Sequence, residues 1–202
     1  MLKIGLAGGS GSGKAVVSSL FSLNGIPAFD CDAVYHELIS QNGTLTNELV
    51  AAFGEGVRSP RGGIDRRALF DAAFCDQAKR ELLNAVSHRR ILSVCREWIG
   101  RAERDGFSAV LIDAPLLYES GFDRECDLTI AVTAPEEVRL ERIVRRDGIS
   151  REEAERRIAA QIPDEELAER ADYVIRNGAD LPDVFFQVKN ILSLINERRN
   201  EP

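Results

Sequence analysis

The sequence predicts an α/β fold in which helices cover both faces of a five-stranded parallel sheet. Two observations lead to this expectation. A buried strand, a glycine-rich loop and a helix follow one another over residues 2–21. Further along, short apolar runs alternate with longer helical patterns, which is typical of a parallel sheet that is buried on both faces. We therefore expect ligands at the carboxyl ends of the strands, where open α/β sheets bind them.

The glycine-rich loop matches the phosphate-binding pattern G-x-x-x-x-G-K-[ST] from Gly8 to Lys14, with Ala15 at the last position. Glycines let successive backbone N–H groups face phosphate oxygens, and the N-terminus of the following helix adds a positive dipole. Lys14 supplies a mobile cation for β- and γ-phosphates. The alternatives are a turn without a ligand or a dinucleotide site, but no G-x-G-x-x-G/A run with a suitable later acid fits.

The composition is that of an ordinary globular protein, with 44% hydrophobic and 29% charged residues. The net charge of −7 argues against a general nucleic-acid-binding surface. No apolar run approaches the roughly 20 residues that span a bilayer. A predicted strand begins at Leu2 with no signal peptide before it. We therefore expect a cytoplasmic protein that binds neither nucleic acid nor membrane. We also expect a monomer, although none of these observations determines the oligomeric state.

Neither the cysteines nor the histidines indicate a metal site. The cysteines form no C-x-x-C pair and have no zinc spacing, and the two histidines, His36 and His88, are far apart in sequence. We expect the thiols to be reduced and to pack as small apolar residues. The cysteines are Cys31, Cys75, Cys95 and Cys126.

Periodicity and turn signals predict the individual elements. The strands are predicted over residues 2–7, 26–29, 108–112, 128–132 and 173–175. The helices are predicted over residues 15–23, 33–39, 45–53, 66–74, 76–104, 135–146, 151–161 and 181–196.

A phosphate-binding core with a long helical insertion and an arginine-rich helical segment predicts a fold like that of the P-loop nucleotide kinases. We expect residues 1–202 to form one such unit. Its nucleotide-binding core comprises residues 1–32, 107–134 and 171–202, its helical substrate region residues 33–106, and its helical lid residues 135–170.

Acidic and basic residues lie where this fold needs them. Asp32 follows the second predicted strand and Asp113 the third, so both are expected at the ligand-binding edge of the sheet. Asp32 has a structural alternative as the N-cap of the next helix. Arg142 and Arg146 are four residues apart on one helical face. We expect them to lie on a mobile lid and to bring positive charge to a transferring phosphoryl group. The alternative for this segment is a solvated, salt-bridged surface helix.

Several of these stretches together resemble the dephospho-CoA kinases over nearly the whole chain. The most specific are the Asp-x-Asp at 30–32 and the Asp-x-Pro-Leu-Leu-x-Glu at 113–119. The segments that carry the resemblance are residues 5–14, 29–34, 64–70, 83–88, 112–119, 142–147 and 171–177. The resemblance implies transfer of the ATP γ-phosphate to the ribose 3′-hydroxyl of dephospho-CoA, with ATP as co-substrate and Mg²⁺ as cofactor.

Matching positions imply the role of each residue. Asp32 corresponds to the general base, Lys14 and Arg142 are the other implied catalytic groups, and Asp113 is implied to orient Mg²⁺ through water. The implied ATP-binding positions are Gly9, Ser10, Gly11, Ser12, Gly13, Lys14, Ala15, Val16, Arg142, Arg146 and Asn177. The positions implied to bind dephospho-CoA are Asp32, His36, His88, Leu116 and Glu119.

The chain departs from the family pattern at three places. Where the family continues Gly-Lys-Ser-Thr, this chain has Ala15 and Val16, so a magnesium-binding hydroxyl and a phosphate-contacting hydroxyl are both missing. The family's His-Pro is His88-Arg89 here, and a common arginine is replaced by His36, which donates to phosphate when protonated. Because water can fill the magnesium position, we expect weakened but not absent activity.

Two other functions compete with this interpretation. The missing hydroxyls favour a nucleotide-binding module without turnover. A kinase for another small hydroxylated substrate is the second rival, but the helical insertion and the Asp-x-Asp argue against it. A GTPase is excluded, since the chain has no guanine-binding Asn-Lys-x-Asp.

Overall fold

A computed structural model describes residues 1–73, 76–178 and 180–200 of the chain. The chain divides into two compact units. The first unit comprises residues 1–29 and 102–202, and the second comprises residues 30–101. Cys75 and the predicted helix end at Phe74 lie outside the described residues.

A five-stranded parallel sheet forms the centre of the first unit, which confirms the predicted architecture. The strands are β1 (Leu2–Ala7), β2 (Ala28–Asp30), β3 (Ala109–Asp113), β4 (Leu128–Thr133) and β5 (Tyr173–Arg176). Their order across the sheet is β2-β3-β1-β4-β5. This order places β1 centrally, with Leu6 opposite Asp113 on β3 and Ile130 on β4. The loop after β1 therefore leaves the sheet between the ends of β3 and β4.

Helices account for most of the remaining chain. They are α1 (Lys14–Leu23), α2 (Cys31–Ser40), α3 (Thr44–Phe53), α4 (Arg66–Ala73), α5 (Gln77–Arg104), α6 (Glu136–Asp147), α7 (Arg151–Ala159), α8 (Asp164–Arg170) and α9 (Leu181–Asn200). The predicted helices correspond to eight of these within a few residues at each end. Helix α8 was not predicted, because five of its seven residues are charged and it buries only Leu167, so it carries little periodic signal.

The core of the first unit explains why its strands are almost continuously apolar. Ile4, Leu111 and Ile130 are completely buried on β1, β3 and β4. Helix α1 packs Val17 and Phe21 into the same cluster. Strands covered on both faces have no solvent side on which polar residues could alternate. This burial holds β1 and α1, and therefore the loop between them, in a fixed frame.

The second unit has its own apolar core, built around Ile39, Leu45 and Leu49. Its first helix, α2, is capped by Asp30, whose carboxylate accepts a hydrogen bond of 2.9 Å from the Ala33 N–H. Asp32 lies in the first turn of α2 instead. The alternative role of Asp32 as the helix N-cap is therefore wrong, since Asp30 satisfies that position.

No helix in the described residues is both long and apolar enough to cross a membrane. Of the described cysteines, Cys31 and Cys95 are buried and Cys126 is partly buried, and all three are free thiols. This agrees with their predicted packing as small apolar residues. Burial raises the pKa of the Cys126 thiol to about 12, and its Sγ donates to the Phe122 carbonyl at 3.5 Å.

We predict that Cys126 resists alkylation in the folded protein at pH 8. With a pKa of about 12, only about one thiol in ten thousand is ionised at that pH, and the thiolate is the reactive form. Iodoacetamide labelling followed by peptide mapping measures this directly. The same peptide from urea-unfolded protein should be fully labelled, and rapid labelling of native Cys126 would contradict the assignment.

Candidate functional site

The loop between β1 and α1 has the conformation that its glycines permit. Gly11 and Gly13 adopt left-handed conformations with φ of 78° and 88°, which other residues rarely tolerate. The Ser12 N–H donates to the Gly9 carbonyl at 3.1 Å, so the loop turns tightly upon itself. Helix α1 begins directly after Gly13 and has no side-chain cap. In its first turn the Val16 N–H donates to the Gly13 carbonyl at 3.0 Å. The N–H groups that precede it at a helix N-terminus have no intrahelical carbonyl partner, and such groups bind anions.

Lys14 and Asp113 form an ion pair at the carboxyl ends of β1 and β3. The pair is largely buried, with 15% of the Lys14 side chain and 6% of the Asp113 side chain exposed. Apolar β3 positions Asp113 as its last residue, and the N-terminus of α1 positions Lys14. The predicted phosphate-binding cation and the predicted acidic group therefore lie together.

Arg142 on α6 contacts the outer side of the loop. Its guanidinium donates to the carbonyl oxygens of Gly11 at 3.1 Å and of Asn177 at 3.2 Å. It also donates to the Asn177 amide oxygen at 3.1 Å. The Asn177 amide nitrogen in turn donates to the Ser12 carbonyl at 2.8 Å. Arg142 and Asn177, both predicted to bind ATP, thus hold the backbone of the loop.

A second arginine on α6, Arg139, belongs to the same site although we did not predict a role for it. It is 4% exposed. Its Nε donates to the Ser10 carbonyl at 2.9 Å, and its Nη atoms donate to Asp164 at 2.6 Å and Gln161 at 3.1 Å. Its position three residues before Arg142 was the available sequence signal. Gln161 and Asp164 carried none, since their contacts depend on how α7 and α8 fold back.

Asp164 extends this contact to the end of β4. Its second carboxylate oxygen accepts a hydrogen bond of 3.0 Å from the Ala134 N–H. Burial raises the pKa of Asp164, whereas the Ala134 N–H and the Arg139 charge oppose that rise. Desolvation is thus the larger effect on this carboxyl, and the guanidinium and the amide donor offset only part of it.

Arg146, the other predicted lid cation, lies outside this group of contacts. Its side chain is 61% exposed and pairs with Asp147, the last residue of α6. Arg157 also pairs with Asp147, whose pKa falls to about 2 because of these hydrogen bonds. Arg142 and Arg146 therefore occupy different environments: Arg142 contacts the phosphate-binding loop, while Arg146 joins an exposed ion-pair cluster.

The predicted substrate-binding residues are divided between the two units. Leu116 and Glu119 follow β3 in the first unit, where both are exposed. Partial burial of its carboxyl raises the pKa of Glu119, although Arg170 opposes the rise.

The remaining predicted positions belong to the second unit. Asp32 and His36 are exposed on α2, where the His36 ring lies 5.7 Å from that of Tyr35. His88 lies within α5, and burial lowers its pKa, so its imidazole is neutral at pH 7.

The donor set at the loop fits magnesium only in part. Asp113 offers a carboxylate beside Lys14, but the methyl group of Ala15 offers no oxygen. No cluster of three or more His, Cys, Asp or Glu side chains suited to a metal occurs in the described ranges. These residues fit a cation whose ligands are mainly substrate phosphates and water, and Mg²⁺ is commonly bound in this way.

Comparison with known proteins identifies a family. Residues 2–183 match the family model described as dephospho-CoA kinase. A dephospho-CoA kinase from Corynebacterium glutamicum is 36% identical over 200 residues, covering 99% of this chain and 100% of the relative. One from Bacillus licheniformis is 38% identical over 191 residues and covers 95% of each chain.

Solved structures agree with the fold. A Thermus thermophilus protein superposes with a TM-score of 0.83 at 32% identity, covering 96% of this chain and 97% of the other. The dephospho-CoA kinase from Campylobacter jejuni has a TM-score of 0.70 at 22% identity, with the same coverage. The shikimate kinase from Acinetobacter baumannii, at 0.52 and 17%, covers 100% of this chain and 96% of its own. The last two show the fold alone.

We predict that Gly13→Ala weakens nucleotide binding at least tenfold. Its φ of 88° disfavours a side chain, and the new methyl group would collide with the Asn177 amide that holds the loop. Gly25→Ala is the matched control, because Gly25 has a φ of 80° but no described atom within 4 Å of a new methyl group. Both variants lose about 1 kcal/mol of stability through backbone strain. Calorimetric ATP titration measures the difference, and equal affinities for the two variants would contradict the role of the loop.

Proposed function

The chain belongs to the dephospho-CoA kinase family, and we propose that it transfers the γ-phosphate of ATP to the ribose 3′-hydroxyl of dephospho-CoA. The products are CoA and ADP, so the reaction completes coenzyme A synthesis. The observation that carries the proposal is the Lys14–Asp113 pair beside the N-terminus of α1. It supplies one mobile cation and one carboxylate where phosphates bind.

The phosphate-donor half of the reaction follows from this pair. Phosphates enter at the N-terminus of α1, where glycine N–H groups and the helix dipole favour anions. Lys14 then gives up its ion pair with Asp113 and binds the β- and γ-phosphate oxygens instead. Negative charge grows on those oxygens as the phosphoryl group departs, so Lys14 stabilises the transition state. Asp113 is then available to hold water bound to the cation.

When bound with ATP, Mg²⁺ would neutralise negative charge on the phosphates. Asp113 is the residue proposed to hold it, through water. The chain's own groups bind and orient the nucleotide: Gly11 and Gly13 present the loop backbone, and Arg142 and Asn177 hold that backbone from outside.

The acceptor half rests on the family motifs. We assign Asp32 as the general base that takes the proton of the ribose 3′-hydroxyl, because a carboxylate within hydrogen-bond reach of a hydroxyl can do so. His36, His88, Leu116 and Glu119 are assigned to dephospho-CoA. A supporting observation is that Asp30 already caps α2, so Asp32 is not needed for that purpose.

Ala15 and Val16 lower the rate in this proposal without removing the phosphate site. Both substitutions eliminate side-chain oxygens, whereas the backbone N–H groups at the helix N-terminus are unchanged. Both side chains are exposed, so neither methyl group fills the interior of the loop. Positioning of the cation therefore becomes less strict, and phosphoryl transfer depends on such positioning.

The direct test is ADP release coupled to product identification with dephospho-CoA at saturating Mg²⁺. We expect one ADP and one CoA per turnover, and much slower turnover with nucleosides, shikimate or gluconate. ATP binding without turnover on any of these acceptors would make the chain a nucleotide-binding module and overturn the proposal. If another acceptor is turned over faster, that acceptor and not dephospho-CoA is the substrate.

Cytoplasmic location and a monomeric state complete the proposal. Coenzyme A synthesis uses small soluble substrates, and the chain provides no membrane-crossing helix in its described residues. Sedimentation analysis of the purified protein tests the monomeric state.

We predict that Asp32→Asn lowers kcat by about 10²–10⁴, the range for losing a general base. The KM for ATP should change little, since the base acts on the acceptor. Asp30→Asn is the matched control, because asparagine also caps helices and should keep kcat within a factor of about three. Steady-state kinetics measure both variants. If the two variants lose equal activity, the assignment of Asp32 as base is wrong.

We predict that Ala15→Ser raises kcat/KM for Mg-ATP by about tenfold, since a hydrogen bond or ligand to a charged partner contributes about 1.5 kcal/mol. Val16→Thr should add a smaller gain. Ala15→Cys is the control, because its thiol is similar in size but is a poor ligand for a hard cation. Initial rates at varied Mg²⁺ measure the effect, and an equal gain from cysteine would rule out the hydroxyl explanation.

A further inference from the structure

Arg139 is a charged residue of α6 that is almost completely buried, whereas the other buried residues of that helix, Leu140 and Ile143, are apolar. Burying an ion pair such as Arg139–Asp164 costs desolvation free energy, so it is weak evidence for stability by itself. An attested role for a buried charge of this kind is to fix one conformation of the groups that it contacts. The acceptors of Arg139 therefore indicate what it does.

All the polar groups of Ser10 are held by Arg139 and Gln161. The Ser10 carbonyl accepts from Arg139 Nε at 2.9 Å, and the Ser10 N–H donates to Gln161 Oε1 at 2.9 Å. The Gln161 amide nitrogen donates to the Ser10 hydroxyl at 3.3 Å. Arg139 and Gln161 also bind each other at 3.1 Å. We call Arg139, Gln161 and Asp164 the loop clamp.

The glycines beside Ser10 allow this clamp to approach. A side chain at Gly9 would collide with the Arg139 guanidinium, and its first carbon would lie 2.9 Å from Gln161 Oε1. At Gly11 the same carbon would lie 2.6 Å from the Arg139 carbonyl oxygen. These two glycines are needed here for close packing against α6, in addition to any role with phosphate.

Fixing the Ser10 carbonyl determines where the next N–H points. A planar trans peptide directs its C=O and its N–H to opposite sides. When Arg139 holds the Ser10 carbonyl outward, the N–H of Gly11 faces the inside of the loop. Asn177 does the same at the Ser12 carbonyl and so orients the N–H of Gly13. Arg142 holds the Gly11 carbonyl, but the Ser12 N–H that follows it donates to the Gly9 carbonyl. The Gly11 and Gly13 N–H groups then face inward, the arrangement that cradles phosphates.

We propose that Arg139 is a positioning residue for ATP binding, which orients the phosphate-binding N–H groups through the Ser10 carbonyl and acts together with Gln161 and Asp164. This inference rests on the proposed function, because it takes ATP as the ligand. It assigns Arg139 a geometric role: three donors reach acceptors on three different residues, so charge alone does not replace it. The clamp also ties the base of the lid segment to the loop.

The test compares Arg139→Lys, Arg139→Gln and Arg145→Gln by calorimetric titration with ATP and with inorganic tripolyphosphate. Arg145 is the matched control, since it is an exposed arginine on the same helix. We expect both Arg139 variants to lose at least tenfold in affinity for each ligand, and the loss for ATP should be similar to the loss for tripolyphosphate. The affinities of Arg145→Gln should change less than twofold. The KM for dephospho-CoA should stay within twofold.

Each other outcome is decisive. Wild-type affinity in Arg139→Lys would make the residue a simple charge and overturn the positioning role. If the affinity for ATP falls but that for tripolyphosphate does not, Arg139 affects binding of the nucleoside and not of the phosphates, which contradicts the proposal. Wild-type protein that binds no ATP would overturn the proposed function itself. If neither Arg139 variant folds, Gln161→Ala decides, because it keeps the Arg139–Asp164 pair; at least a fivefold loss is expected, and unchanged affinity contradicts the proposal.

Discussion

Hydrogen bonds to the carbonyl oxygens of the phosphate-binding loop are the interactions on which the site depends. Arg139 holds the Ser10 carbonyl, Arg142 holds that of Gly11, and Asn177 holds that of Ser12. The donors come from α6 and from the segment after β5, so distant parts of the first unit converge on one short loop. Because the buried sheet fixes those elements, the loop is shaped before any nucleotide arrives, and binding need not bear the entropy of ordering it.

In the proposed function, this preorganisation limits the effect of the unusual residues after Lys14. Ala15 and Val16 remove hydroxyl groups from one end of the site, whereas the orientation of the loop N–H groups depends on contacts at the other side. Lys14 and Asp113 form the adjustable part, since their mutual ion pair satisfies both charges until phosphates and a cation offer new partners. The site therefore combines a rigid anion cradle with a replaceable ion pair. In the proposed function, such a site binds the nucleotide phosphates well but positions the cation less precisely.

The sequence predicted the architecture well because apolar strands, glycine signals and the Gly-Lys motif are local features. The strand at Leu2–Ala7 and the five-stranded parallel sheet agree with the structure. It did not predict the clamp, because a buried arginine in an arginine-rich helix looks like its exposed neighbours in sequence. Helix α8 was missed for a similar reason. Five of its seven residues are charged, and its place in the fold depends on the burial of Leu167 and on the contacts of Asp164 with Ala134 and Arg139.

Crystal structures of the chain with and without a non-hydrolysable ATP analogue and Mg²⁺ test the central claim most directly. The account predicts that Lys14 leaves Asp113 for the β- and γ-phosphates, while the contacts of Arg139 to Ser10 and of Asn177 to Ser12 are the same in both states. If the Ser10 and Ser12 carbonyls rotate when the analogue binds, or if Lys14 remains paired with Asp113 in the complex, the loop is not preorganised and the account is wrong.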